Sequence, residues 1–289
     1  MNNKPISELQ LKILEIFKAV ATICEENNIR YFAIGGTCLG AVRHKGFIPW
    51  DDDLDIAIPI NDYFRFIEIA QKQLPGNLDL YFPTFHYYLF LKVHDKNTAF
   101  IESDDISCTN RYKGIYIDIM PLSGLPAGSM ASRFFYKQVK FYKILNGLRK
   151  IPLAQSNTSK HKKVIMYLIK PFLMLFPHNF FASVWMNVLR KNDFDKSNFV
   201  VFGWSKNVEK YTFDKKAFED HIYLDFEDTK IRCPKGWHEY LTNHFGDYMT
   251  LPPKEQQIQC HTGIIDLKRS YKEYQNNREL TTAKQSEPS

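Results

Sequence analysis

The sequence predicts an α+β fold in which a core sheet with flanking helices is joined to a mainly helical lobe. Two observations carry this. Up to about residue 125, short apolar runs of strand character alternate with segments of helical spacing. After Pro121 the organisation changes, and from about Ser129 to Asn192 aromatic-rich helical patterns dominate. The chain of 289 residues is long enough to bury a sizeable core, and 44% hydrophobic against 24% charged residues is the composition of a soluble globular protein.

Taken in order, Ser7 followed by Gln10 has the form of a capping box, and Leu9, Ile13, Ile16, Phe17, Val20 and Cys24 recur at helical spacing, so a helix is expected from about Ser7 to Asn27. "RYFAIGG" reads as a strand entering a tight glycine turn, and "TCLGAVRHKG" as a short helix over that turn. "LDIAIP" is a second strand closed by Pro59, and Asn61 to Leu74 has helical periodicity. Three β-rich stretches follow: "LDLYFP", "YYLFLKVHD" and "GIYIDIMPL". The expected division is a catalytic core over 1–125, a helical and C-terminal lobe over 126–275, and a polar, disordered tail over 276–289.

In the lobe, "VIMYLIKPFLMLFPHNFFASVWMNVL" is the most apolar stretch, but Lys170, Pro171, Pro177 and His178 interrupt it below the roughly 18 to 20 residues of a membrane span. It reads as a buried helix pair or as a helical hairpin resting on the inner leaflet, a peripheral contact. The 38 Lys and Arg against 32 Asp and Glu give a formal charge of +6, a surplus that suits a phosphate-bearing ligand, an anionic membrane or a nucleic acid. No basic run has the density of a nucleic-acid arm; Lys160-His161-Lys162-Lys163 is short, and no nucleic-acid partner is expected. Five cysteines without a CxxC pair argue against a disulfide framework and for a reducing cytoplasm, and Cys260-His261 lacks the partner pair of a zinc site. The N-terminus lacks the pattern of a signal peptide.

The chemistry concentrates in "GGTCLGAVRHKGFIPWDDDLDIAIP", residues 35–59, where Asp51, Asp52, Asp53 and Asp55 crowd into five positions. Strand alternation puts Asp53, Asp55 and Ala57 on one face and Leu54, Ile56 and Ile58 on the other. Carboxylates so close repel one another unless they are solvated or bind a cation, and all-oxygen ligands suit Mg²⁺, with Mn²⁺ as the alternative. A solvated Asp-rich loop is the competing reading. In "GIYIDIM", Asp118 stands in the middle of an apolar strand, which calls for a partner or a metal. If that strand lies beside "LDIAI", Asp118 completes a three-carboxylate site, with the upstream glycine turn able to offer N–H groups to a phosphate.

These blocks, with the later "FGDYMTLPP", resemble the LicD family of bacterial cholinephosphotransferases, which decorate lipopolysaccharide or teichoic acid and have fukutin-related proteins as distant relatives. The similarity spans about Tyr31 to His261. It implies a nucleotidyltransferase (DNA polymerase beta-like) core and transfer of a phospho-alcohol from a CDP-activated donor, typically CDP-choline, to a sugar hydroxyl of a glycan or glycolipid. On the matching positions, Gly35, Gly36 and Thr37 would hold donor phosphate. Asp53, Asp55 and Asp118 would be the catalytic and metal-binding carboxylates, with Asp51 as an outer or additional ligand and Asp118 helping to deprotonate the acceptor. Arg43, His44 and Lys45 fall where a cationic side chain would neutralise the diphosphate, although His44 packing on Trp50 is the alternative. Asp247 and Tyr248 read as anchors of the C-terminal lobe.

Other functions fit parts of the pattern. Asp-x-Asp also serves metal-dependent glycosyltransferases that use nucleotide sugars, and the polymerase-like core with a basic balance fits an RNA nucleotidyltransferase. A scaffold that kept only the fold would tolerate loss of Asp53.

Overall fold

The computed structural model describes residues 6–82, 90–105, 111–150, 168–177, 179–205, 207–259, 261 and 263–277. The basic stretch "KHKK" at 160–163 and the tail beyond 277 lie outside these residues, so the expectation of a disordered tail does too.

Helix α1 (Glu8–Glu26) starts where its capping box says it should. The Ser7 hydroxyl accepts the Gln10 N–H at 3.1 Å and the Gln10 side chain accepts the Ser7 N–H at 3.0 Å. Strand β1 (Phe32–Ala33) is short, and helix α2 (Gly35–His44) follows at once. The glycine pair is therefore the first turn of a helix rather than a turn before one. Gly35 has φ +54°, which only a residue without Cβ adopts at low cost. Strand β2 (Asp55–Pro59) leads into α3 (Ile60–Gln73), and β3 (Leu78–Tyr81), β4 (Leu91–Asp95) and β5 (Ala99–Glu102) precede β6 (Tyr116–Gly124).

The main sheet runs β1-β2-β6-β4-β3 and is mixed: β2 and β6 are parallel, and the other pairs in this run are antiparallel. Strand β6 continues past Pro121, where the sequence pattern was expected to change. The Asp118 N–H donates to the Leu54 carbonyl at 2.9 Å on the β2 side, so the N–H positions of 119 and 121 face the opposite edge. That edge carries β4 only as far as Ile119, so the N–H that Pro121 lacks is not needed in the ladder. Beyond it, Ser123 and Gly124 pair with β7 (Phe199–Val201), which pairs with β8 (Thr212–Asp214).

Helices α4 (Ser129–Lys150) and α5 (Phe180–Arg190) pack together in the expected helical region. Five short strands come after residue 192, among them the hairpin β9 (His221–Phe226) and β10 (Thr229–Pro234). Helix α6 (Trp237–Phe245), strand β11 (Gly263–Asp266) and helix α7 (Tyr271–Asn276) complete the described chain. Strand β11 pairs with β5, more than 150 residues upstream, as a separate two-stranded sheet. The core is continuous across α1, α2 and the main sheet, with Phe17, Tyr31, Ile56, Ile117 and Tyr240 fully enclosed.

One buried histidine on β4 sets an acid sensitivity. The His94 Nδ1 accepts the Gly114 N–H at 3.0 Å, an arrangement open only to the neutral ring, and burial holds its pKa down to about 4. The folded value lies below the unfolded one near 6.5, so this contribution is complete above that pH and is lost as pH falls toward 4. The loss amounts to at most about 3 kcal/mol. His94→Asn keeps an acceptor near Nδ1 without a titrating ring. Urea unfolding between pH 7 and 4.5 should show a shallower decline in this variant than in the parent.

Candidate active site

The parallel register sets Asp55 on β2 directly beside Asp118 on β6. Asp53 lies just before β2 rather than inside it, and both faces of the strand are enclosed, since Ala57 is as buried as Leu54, Ile56 and Ile58. The start of α2 is fastened onto this strand. The Asp55 N–H donates to the Thr37 hydroxyl at 2.8 Å, the Ile34 N–H to the Asp55 carbonyl at 3.2 Å, and the Gly35 N–H to the Tyr240 hydroxyl at 2.9 Å. A Cβ on Gly36 would stand 2.7 Å from Asp51 Oδ2, so glycine is what lets Asp51 close over the helix start. A Cβ on Gly35 would meet Asp55 Oδ2 at 3.4 Å.

The structure thus gathers Gly35, Gly36, Thr37, Asp51, Asp53, Asp55 and Asp118, as the sequence suggested. It sets Arg43, His44 and Lys45 at the far end of α2, about 12 Å along the axis at 1.5 Å per residue. There the Arg43 guanidinium donates to the Tyr248 carbonyl at 2.8 Å and to His44 Nε2 at 2.9 Å. His44 meets Trp50 edge-on, with ring centroids 6.4 Å apart. The Lys45 carbonyl accepts the Glu227 N–H from the tip of the β9–β10 hairpin. The Tyr248 hydroxyl is 2.6 Å from His238 Nδ1, and Asp247 accepts from the Thr250 hydroxyl.

The electrostatics are those of an acidic centre. Burial, then Asp53 and Asp118, raises the Asp55 carboxyl well above the usual range, and Asp55 Oδ1 is buried without a hydrogen-bond partner. Burial followed by the charge of Asp53 raises Asp51 as well. Asp53 is raised chiefly by burial, against which His261 works.

Two cations beside the acidic centre were not foreseen. Lys92 on β4 is the register partner of Asp118 and its Nζ reaches Asp118 Oδ1 at 2.5 Å, while standing 3.7 Å from the centroid of the Tyr116 ring. Asp52 is fully buried, and both its oxygens engage His261: Oδ2 accepts the backbone N–H and Oδ1 meets Nδ1, each at 3.0 Å. The bond to Asp52 raises the His261 pKa to about 9. His261 Nδ1 also lies 3.9 Å from Asp53 Oδ2. Asp52, Asp53 and His261 can each offer one ligand atom within 4.8 Å of the others, so this acidic cluster could hold a metal.

Comparison with known proteins joins these features to a family. Residues 28–160 match the model described as LicD/FKTN/FKRP, nucleotidyltransferase domain, a span that contains Asp51, Asp52, Asp53, Asp55 and Asp118. The chain carries a LicD-family domain. Across 276 residues it is 28% identical to the lipopolysaccharide cholinephosphotransferase LicD of Haemophilus influenzae, covering 90% of this chain and 97% of that protein. Over 48 residues it is 42% identical to the ribitol 5-phosphate transferase FKRP of Mus musculus, covering 17% of this chain and 10% of the relative. The match with FKRP of Homo sapiens has the same extent.

Parts of the candidate site lie beyond the matched domain. Tyr240, which takes up the Gly35 N–H, and His261, which engages Asp52, both come from the C-terminal part of the chain. No sequence signal links them to the acidic block. Lys92 could have been found, because a lysine inside the apolar "YYLFLKVHD" needs a buried partner for the reason that singled out Asp118.

Proposed function

We propose that this chain is a metal-dependent phosphotransferase that moves phosphocholine from CDP-choline to a sugar hydroxyl of a cell-surface glycan of the lipopolysaccharide, teichoic acid or capsule type. The observation that carries the reading is Asp55 Oδ1, a buried carboxylate oxygen without a hydrogen-bond partner, set between Asp53 and Asp118 in a LicD-family domain. Such an oxygen fits a hard divalent cation, Mg²⁺ or Mn²⁺, which Asp53, Asp55 and Asp118 would hold with Asp51 nearby. When bound, the cation would offset charge on the transferred phosphoryl group.

The chain's own groups supply the rest. Gly36 and Thr37 present the first turn of α2 to the donor phosphates, in the direction of its positive dipole end. Lys92 occupies Asp118 Oδ1 and leaves Oδ2 to receive the proton of the acceptor hydroxyl. Lys92 and His261 are the cations placed to counter the diphosphate. Arg43, His44 and Lys45 are assigned instead to anchoring the end of α2, where the Arg43 and His44 side chains and the Lys45 carbonyl are engaged. A second reading, transfer of ribitol phosphate from CDP-ribitol, is favoured by the FKRP match.

Thermal unfolding with CDP-choline, CDP-ribitol, CDP-glycerol or UDP-sugars, with and without Mg²⁺, tests the assignment. A ligand present at about 100 times its Kd adds about 2.7 kcal/mol of stability. The expected result is Mg²⁺-dependent stabilisation by CDP-choline that disappears in Asp53→Ala/Asp55→Ala. Stabilisation by CDP-ribitol alone selects the second reading, and a response confined to UDP-sugars overturns both.

A further inference from the structure

Charge is divided unevenly along this chain. Residues 126–192 contain 12 Lys and Arg and no Asp or Glu, whereas the rest of the chain contains 26 basic and 32 acidic residues. The net positive charge of the protein therefore resides in residues 126–192, the span that includes α4, the helical stretch 168–174 and α5. None of the described helices is long and apolar enough to cross a membrane.

The same lobe exposes large apolar side chains. On α4, Met130, Phe134, Phe141 and Ile144 fall within an arc of about 80° at 100° per residue, and all are exposed, Phe134 by 63%. Lys137 lies on the same arc. The opposite face of α4 turns Phe135, Val139 and Asn146 into the protein, so the helix is apolar on both sides. Nearby in the chain, Leu168, Phe172, Met174 and Leu175 are exposed as well, Leu175 by 78%. The Arg149 guanidinium donates to the Leu173 carbonyl and ties this stretch to the end of α4.

An exposed apolar face within a wholly basic segment is the combination that binds an anionic lipid surface: rings enter the headgroup boundary while Lys and Arg meet the phosphates. A protein partner would need an extended acidic counterpart, because the segment brings no acidic residue of its own and keeps a positive excess even with Lys140 paired to Glu209 and Lys143 turned onto the Trp204 and Ser205 carbonyls. We infer that the exposed face of α4 and residues 168–175 dock this protein on an anionic bilayer. The inference stands independently of the transfer chemistry, because none of these residues belongs to the acidic centre.

The test is flotation of the full chain with large unilamellar vesicles of phosphatidylcholine, with or without about 30 mol% phosphatidylglycerol, at roughly 0.1 M salt. The parent should float with the anionic vesicles, remain behind with pure phosphatidylcholine, and be released by high salt. Phe134→Ser/Phe141→Ser should lower binding tenfold or more without lowering Tm, because both rings are exposed. Failure of the parent to bind, or undiminished binding by the variant, would overturn the inference. So would a clear fall in Tm of the variant, which would mean that the chain itself covers this face. A parent dimer that the variant converts to monomer, without vesicle binding, would assign the face to a second copy. Selective binding of RNA in place of vesicles would assign the charge to nucleic acid.

Discussion

Asp55→Asn is expected to stop turnover while making the metal-free protein more stable. Asp55 is raised by burial and by the neighbouring carboxylates of Asp53, Asp118 and Asp51, and its Oδ1 has no hydrogen-bond partner, so its charged form is a liability without a cation. The amide removes that charge in nearly the same shape. In EDTA, Tm should rise by a few degrees, and the increase that Mg²⁺ produces in the parent should vanish. Phosphotransfer should fall by about 10³-fold, equivalent to about 4 kcal/mol. A lower Tm together with a proportionate fall in activity would make Asp55 a structural residue.

The opposite result is expected at Lys92. Both members of the Lys92–Asp118 pair are enclosed, with side chains only 9% exposed. Lys92→Met leaves a buried carboxylate without its partner, which costs about 3–5 kcal/mol, and Tm should drop by roughly 10 °C. Adding Asp118→Asn should restore most of this loss, because the stranded charge is then gone. Tm values for the two single variants and the double variant form a thermodynamic cycle, and additive effects would show that the two residues act separately.

The parts of the structure that were legible are those whose signal is local. The Ser7–Gln10 capping box marks the start of α1, and the apolar runs give β2 and β6 with Asp118 among their inward positions. That they lie side by side was a conditional expectation that the register meets; their parallel direction was not read. The glycine pair was misread as a turn because Gly-Gly is equally suited to a helix start that approaches a carboxylate closely. Strand β5, four residues long, was not read because what completes it is β11, far away in sequence. Asp52 was counted in the acidic cluster without a role of its own, although it shares its alternation with Leu54, which points it inward. Its partner, His261, is invisible to any local pattern.

The Asp52–His261 contact joins positions separated by 209 residues, and β11 enters its sheet immediately afterwards. A ribosome releases the strands, the glycines and the aspartates long before residue 261 emerges, and domains begin to fold in that order of synthesis. Until then Asp52 is a carboxylate awaiting its cation, and Gly35 lacks Tyr240 until α6 has appeared. Assembly of the acidic centre is thus completed only once residue 261 has been made. A chain cut before residue 261 would hold the aspartates but not the closed arrangement.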